Sequence, residues 1–160
     1  MPLGRLSVSR RRLLAGAGLA AAVPCIGRAE TIQLPRATSL PEHLAAALRQ
    51  GSPLVVMVSL PGCPFCKVAR ESYLAPMLRE QNLPVVQVDM ASKQALRDFK
   101  DASTTHEQQI QAWGIKLAPT LLFFGRAGAE VAKRLVGGTS SDFYGAYLEQ
   151  RLSSARKALV

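Results

Sequence analysis

The tightest constraint in this 160-residue chain is the pair Cys63-Pro64-Phe65-Cys66, set just behind a run of buried-strand character. Pro53-Leu54-Val55-Val56-Met57-Val58-Ser59 is continuous and rich in β-branched residues, the pattern of a strand covered on both faces. Pro61-Gly62 breaks that run, and Cys63 to Gln81 continues as a helix with apolar positions at Phe65, Val68, Ala69, Tyr73 and Leu74, kinked at Pro76. A helix start beside the first cysteine brings unpaired N–H groups and the positive end of the dipole to its sulfur, which favours thiolate over thiol. Cys63 is therefore the expected nucleophile. Cys66, about one turn on, is close enough to attack a mixed disulfide and release the substrate.

Other uses of a Cys-x-x-Cys pair fit less well. A structural zinc site needs four ligands, and no second pair exists. As a plain cross-link, a two-residue loop would constrain little of the unfolded chain. Cu(I) binding by two soft thiolates stays open as an alternative. Asp89, Asp98, Asp101 and His106 are read as solvated helix ends and loop residues rather than a metal cluster, and His43 as a surface residue. Trp113 and Tyr73 are read as packing residues. No metal and no organic cofactor is expected.

Around the cysteine pair the chain alternates helix and strand. A short helix is expected over Pro41 to Gly51, preceded by Ser39 or Leu40, and a second buried strand over Leu83 to Met90. A helix from Ser92 to about Lys100 would follow. A polar bridge, Asp101 to Thr105, then leads into a helix in which Thr104 and Glu107 have capping-box spacing, ending near Trp113-Gly114. The last third reads as a hairpin, Pro119 to Phe124 and Val131 to Val136 about a turn at Gly125 to Gly128. A final helix from Ser140 or Ser141 carries Phe143, Tyr147, Leu148 and Leu152 as its apolar positions. The sum is βαβ joined to ββα with intervening helices.

Two blocks together carry a family resemblance. Met57 to Lys67, followed by Trp113-Gly114-Ile115-Lys116-Leu117-Ala118-Pro119-Thr120-Leu121-Leu122-Phe123-Phe124, resembles the thioredoxin family, and the likeness covers most of residues 40 to 152. It implies an α/β thioredoxin fold: a central mixed β-sheet flanked by helices, with a cis-proline opposite a Cys-x-x-Cys at a helix N-terminus. By that match the Ala118-Pro119 bond is cis and Thr120 begins the central antiparallel strand. The implied site is Cys63 and Cys66 for catalysis, with Pro64, Phe65, Ala118, Pro119 and Thr120 contacting an extended substrate segment. The implied activity is protein thiol:disulfide exchange on protein disulfide substrates. Departures from thioredoxin itself are Gly62 in place of a tryptophan, Pro64-Phe65 in place of Gly-Pro, and Met57 in place of a buried acid. Without that acid the Cys66 proton passes to water, in preference to Lys67 or the substrate. Cys-Pro-Phe-Cys is also similar to the glutaredoxin motif, but Thr139-Ser140-Ser141-Asp142 behind Gly137-Gly138 is only a weak echo of a glutathione-binding pattern.

The formal charge of +9 would suggest a nucleic-acid or anionic-membrane partner until it is located. Residues 1–29 hold Arg5, Arg10, Arg11, Arg12 and Arg28 and no acid, leaving 15 basic against 11 acidic residues, a mild +4. Leu13 to Val23, behind the arginines, is too short to span a bilayer and reads as an export-signal core, with cleavage near Ala29, before Glu30. Ser9-Arg10-Arg11-Arg12-Leu13-Leu14 resembles the twin-arginine motif, an ordinary Sec signal being the alternative. Cys25 lies inside this segment, and Pro24 before it departs from a lipoprotein signal. The expectation is a periplasmic domain over 30–160, with no stable membrane anchor after cleavage and no nucleic-acid partner. Working there as a protein-disulfide reductase, favoured over an oxidant or isomerase, it would draw electrons from a membrane donor.

Overall fold

Leu54–Ser59 (β1) and Val85–Asp89 (β2), the two strands expected to be buried, lie side by side and parallel in a four-stranded sheet. The computed structural model describes residues 33–138 and 143–160. Thr120–Phe124 (β5) pairs antiparallel with β1, and the short Leu135–Val136 (β6) pairs antiparallel with β5, giving the order β2-β1-β5-β6. The sheet is thus mixed, as the sequence led us to expect. Every residue of β1, β2 and β5 is buried, because helices cover both faces.

Alternation along the strands divides the core in two. Val55, Met57, Val85, Leu121 and Phe123 pack with Cys66, Ala69, Leu74, Leu148 and Leu152, on the face covered by the cysteine helix and the C-terminal helix Tyr144–Lys157 (α5). Leu54, Val56, Val58, Val86, Val88, Leu122 and Phe124 face the other way, onto Leu40–Arg49 (α1) and His106–Ala112 (α4). Pro35 and Ala37 run along the free edge of β2, bonding to Gln87 through the Pro35 carbonyl (2.8 Å) and the Ala37 N–H (2.9 Å). That pairing satisfies an edge that would otherwise be open.

Several elements differ from expectation. The helix expected over Ser92 to Lys100 is absent. Ala95–Arg97 (β3) instead pairs with Ser103–Thr105 (β4), placed within the expected polar bridge. Leu96 alone is buried there, a period of two, and the Asp98 carboxylate accepts the N–H groups of Lys100 and Ala102 to close the turn between the strands. The cap of α4 is Thr105, one residue later than expected, its hydroxyl accepting the Gln108 N–H. The long cysteine helix runs Pro64–Val68 (α2), a π-type stretch Ala69–Leu74 and Ala75–Gln81 (α3). Pro76 sits in the first turn of α3, where its missing N–H costs least, so the irregularity falls upstream of it. The second hairpin strand shortens to two residues. In α5 the buried stripe is Tyr144, Leu148, Leu152 and Ala155, while Phe143 and Tyr147 are exposed. Setting Leu148 and Leu152 against the sheet fixes the rotation, and i−4 from Leu148 is Tyr144.

The histidines and acids also need correction. His106 is fully buried. Its Nδ1 accepts the Asp89 N–H (3.1 Å), so Nε2 carries the proton it donates to the Ala37 carbonyl (2.8 Å). Asp89 is buried at the end of β2, whereas Asp98 and Asp101 lie in the β3–β4 turn, Asp101 pairing with Arg97. The described residues hold no group of three or more potential metal ligands. His43 is half-buried rather than on the surface; burial pushes its pKa down, against the pull of Glu42. Trp113 and Tyr73 are packing residues, against Phe124 and Tyr144 respectively. No helix among the described residues is long and apolar enough to cross a membrane. The export segment 1–29 with Cys25, and the Thr139–Asp142 echo, lie outside the described residues.

Candidate active site

Gly62, at φ +76°, turns the chain out of β1 in a conformation that side-chain-bearing residues rarely adopt. Cys63 follows as the N-cap of the helix, in extended geometry. Its carbonyl accepts the Lys67 N–H (3.1 Å), and its Sγ accepts the Cys66 N–H (3.1 Å). A helix-end N–H pointed at a sulfur in that position favours its thiolate over its thiol. Cys63 is part-exposed and Cys66 fully buried beside Met57; the two are joined in a disulfide.

The second block of the sequence meets the first here, across 55 positions of chain. The Ala118–Pro119 bond is cis, and the Ala118 carbonyl oxygen lies 3.8 Å from Cys63 Sγ. Thr120 Oγ1 donates to the Leu117 carbonyl (2.8 Å), and the Pro119 carbonyl accepts the Gly137 N–H (2.7 Å), so this loop is anchored on both sides. Pro64 and Phe65 stand exposed beside it, while Pro119 and Thr120 are buried. All seven residues singled out in the sequence thus belong to one region or to the strand start that supports it.

Two features escaped the sequence reading. Gly138 passes so close to Phe65 that a Cβ there would sit 2.5 Å from Phe65 Cβ, which makes it the wall behind that ring. The Gly137-Gly138 pair was its only signal. On the opposite side of Cys63, Arg70 Nη1 donates to Gln87 Oε1 (3.0 Å), Gln87 Nε2 donates to Asp89 Oδ1 (2.6 Å), and Arg36 Nε pairs with Asp89 Oδ2 (3.4 Å). This chain of polar groups spans the N-terminal segment, β2 and the cysteine helix, and no linear motif announces it. Met57 lies fully buried opposite Gln87 in the register of β1 with β2, so no carboxyl group occupies the Met57 position.

A family model described as a thioredoxin-like domain matches residues 40–152. The chain belongs to the thioredoxin-like family. No curated protein matches it in sequence. Among solved structures, thioredoxin O2 of Arabidopsis thaliana in its oxidised state is 17% identical, over 72% of this chain and 93% of that one, with a TM-score of 0.47. The reduced periplasmic thioredoxin SoxS of Paracoccus pantotrophus is 19% identical over 64% and 98% at 0.43. A thioredoxin of Thermus thermophilus is 23% identical over 76% and 86% at 0.47. Membership of the thioredoxin-like family, with a Cys63–Cys66 disulfide at a helix start, makes the chain a thiol:disulfide oxidoreductase.

Proposed function

We propose that this thioredoxin-like chain is a periplasmic protein-disulfide reductase. One observation carries the reading: a part-exposed Cys63 sulfur holds a helix-end N–H and faces the Ala118 carbonyl, while Cys66 is wholly buried behind it. The exposed sulfur is the one a substrate disulfide can reach. In the reduced form, Cys63 thiolate attacks a substrate sulfur, forming the mixed disulfide and expelling the other substrate sulfur as thiolate. Cys66, having given its proton to water, then attacks Cys63 Sγ and expels the second substrate thiolate. Two electrons pass to the substrate and the Cys63–Cys66 disulfide forms. Ala118, Pro119 and Thr120, with Pro64 and Phe65, hold the substrate segment as a short added strand.

The reductase direction is supported by the absence of any cysteine beyond the pair after residue 25 and by the thioredoxin-like block around Pro119. Export is supported by the arginine cluster and apolar core of residues 1–29. In that compartment a dithiol donor in the membrane must restore the thiols. The test is insulin reduction by the wild type and by Cys63→Ser: activity is lost in the variant, and native-rate reduction there would refute the assignment. A reduction potential near −270 mV supports a reductant, whereas one near about −120 mV makes the chain an oxidant. Tight Cu(I) retention without any exchange activity would replace the enzyme reading with a binding one.

A further inference from the structure

A cavity of about 560 Å³ opens beside Cys63, bounded by the loop before the cysteines, the end of β2 and the outer side of the cysteine helix. Its charged lining is Arg36, Lys67, Arg70 and Asp89. The single acid is already engaged, by the Gln87 amide and by Arg36, and its side chain is 11% exposed against 62% for Arg36. Arg70 is held in place by its Nη1 bond to Gln87 Oε1. Lys67 is exposed and makes no ion pair among the described residues. With Arg36 already paired to Asp89, the cavity presents two uncommitted cations, Lys67 and Arg70, and Arg70 is a guanidinium already held by Gln87. Such a group binds a carboxylate with little further ordering, since its planar fork is fixed beforehand.

We propose that this cavity receives an acidic side chain of the substrate polypeptide, with Arg70 and Lys67 binding its carboxylate while the neighbouring disulfide meets Cys63. The occupant is part of the substrate because the cavity shares Cys63 and Pro64 with the exchange site. Its chemistry follows from the lining: an uncharged side chain would leave the charges of Arg70 and Lys67 uncompensated, and a basic one would face net positive charge. This inference rests on the reading of Cys63 as the thiol that attacks polypeptide disulfides.

The test uses the reduced full chain and a set of disulfide peptides that carry Glu or its isostere Gln at each position flanking the disulfide in turn. At one placement the Glu peptide is expected to exceed the Gln peptide in kcat/KM by about tenfold at low salt, the scale of a charge-assisted pair in a half-open site. That ratio should shrink towards one between about 0.01 M and about 1 M salt, as the Debye length falls from about 30 Å to about 3 Å. It should also fall in Arg70→Gln and in Lys67→Gln; because it is a ratio, any general change in thiol reactivity cancels. Equal rates at every placement at low salt, or a ratio untouched in both variants, would overturn the proposal. The wild-type salt series and the exposed Lys67 variant decide the matter even if Arg70→Gln does not fold. Exchange that persists in Cys63→Ser would instead defeat the enzyme reading, whereas normal exchange with no Glu preference would defeat only the role of the cavity.

Discussion

Tyr144 buries its ring against Tyr73, centroids 5.0 Å apart, and its hydroxyl finds no partner among the described residues. An unpaired hydroxyl forgoes its bonds to water on folding, so Tyr144→Phe is expected to leave stability unchanged or raise it by up to about 1 kcal/mol in urea unfolding at neutral pH. Burial, with the nearby Tyr73, pushes the Tyr144 phenol up to about 12 from an ordinary 10.0. A folded-state pKa above the unfolded one means that stability is fully present below pH 10 and is lost as pH rises from there to about 12, where the folded form also ionises. Melting curves across that window should fall more steeply for the wild type than for Tyr144→Phe; parallel curves would contradict the assignment. The roles of single residues were unevenly legible. Cys63 and Cys66 stand out in any reading because their spacing and their place after a strand carry a mechanism. Tyr144 does not, because one residue of helix rotation separates it from the exposed Phe143.

Helix α1 shows how far an element can be read from its own letters. Ser39 caps it, the hydroxyl accepting the Glu42 N–H, with a proline in the first turn, and Gly51 beyond the last turn adopts φ +66°. Each of these signals acts over fewer than four residues, so the expected Pro41 to Gly51 span lies within two residues of Leu40–Arg49 at each end. Ser39→Ala should cost about 1 kcal/mol in chemical denaturation, the worth of a lost N-cap, and Ser39→Asp should restore most of it. The β3–β4 hairpin is the opposite case. Ala95-Leu96-Arg97 has no strong local preference, and the Arg97 N–H donates to the Thr38 carbonyl (2.9 Å), a partner far off in sequence. Pairing with distant backbone overrode a helical reading that nothing local opposed.

On the scale of the whole molecule, both core layers are built on the same three strands, β1, β2 and β5, and Thr31–Val160 forms one compact unit. Leu121 and Leu122 are neighbours in β5, both fully buried, one in each layer. Leu121→Ala and Leu122→Ala should each cost about 2–5 kcal/mol, and each should lower a single transition rather than split it. Far-UV ellipticity reports all elements and Trp113 emission reports the α4 face, where the ring packs on Phe124. Their urea curves should coincide in the wild type and in both variants; separation would mean that the layers unfold independently. The sequence by itself determined the strands β1, β2 and β5, the burial of the first two, helix α1 and the redox pair, because hydrophobic period, breakers and cysteine spacing are local quantities. Only the tertiary structure decided that Ala118 meets Cys63, that Gly138 backs Phe65, and that Arg36, Gln87, Asp89 and Arg70 form one chain of polar groups beside the sulfur. Most of those contacts join residues far apart in sequence, 55 positions for Ala118 and Cys63, and their partners are chosen by which strand edge and which helix face the closed sheet brings together.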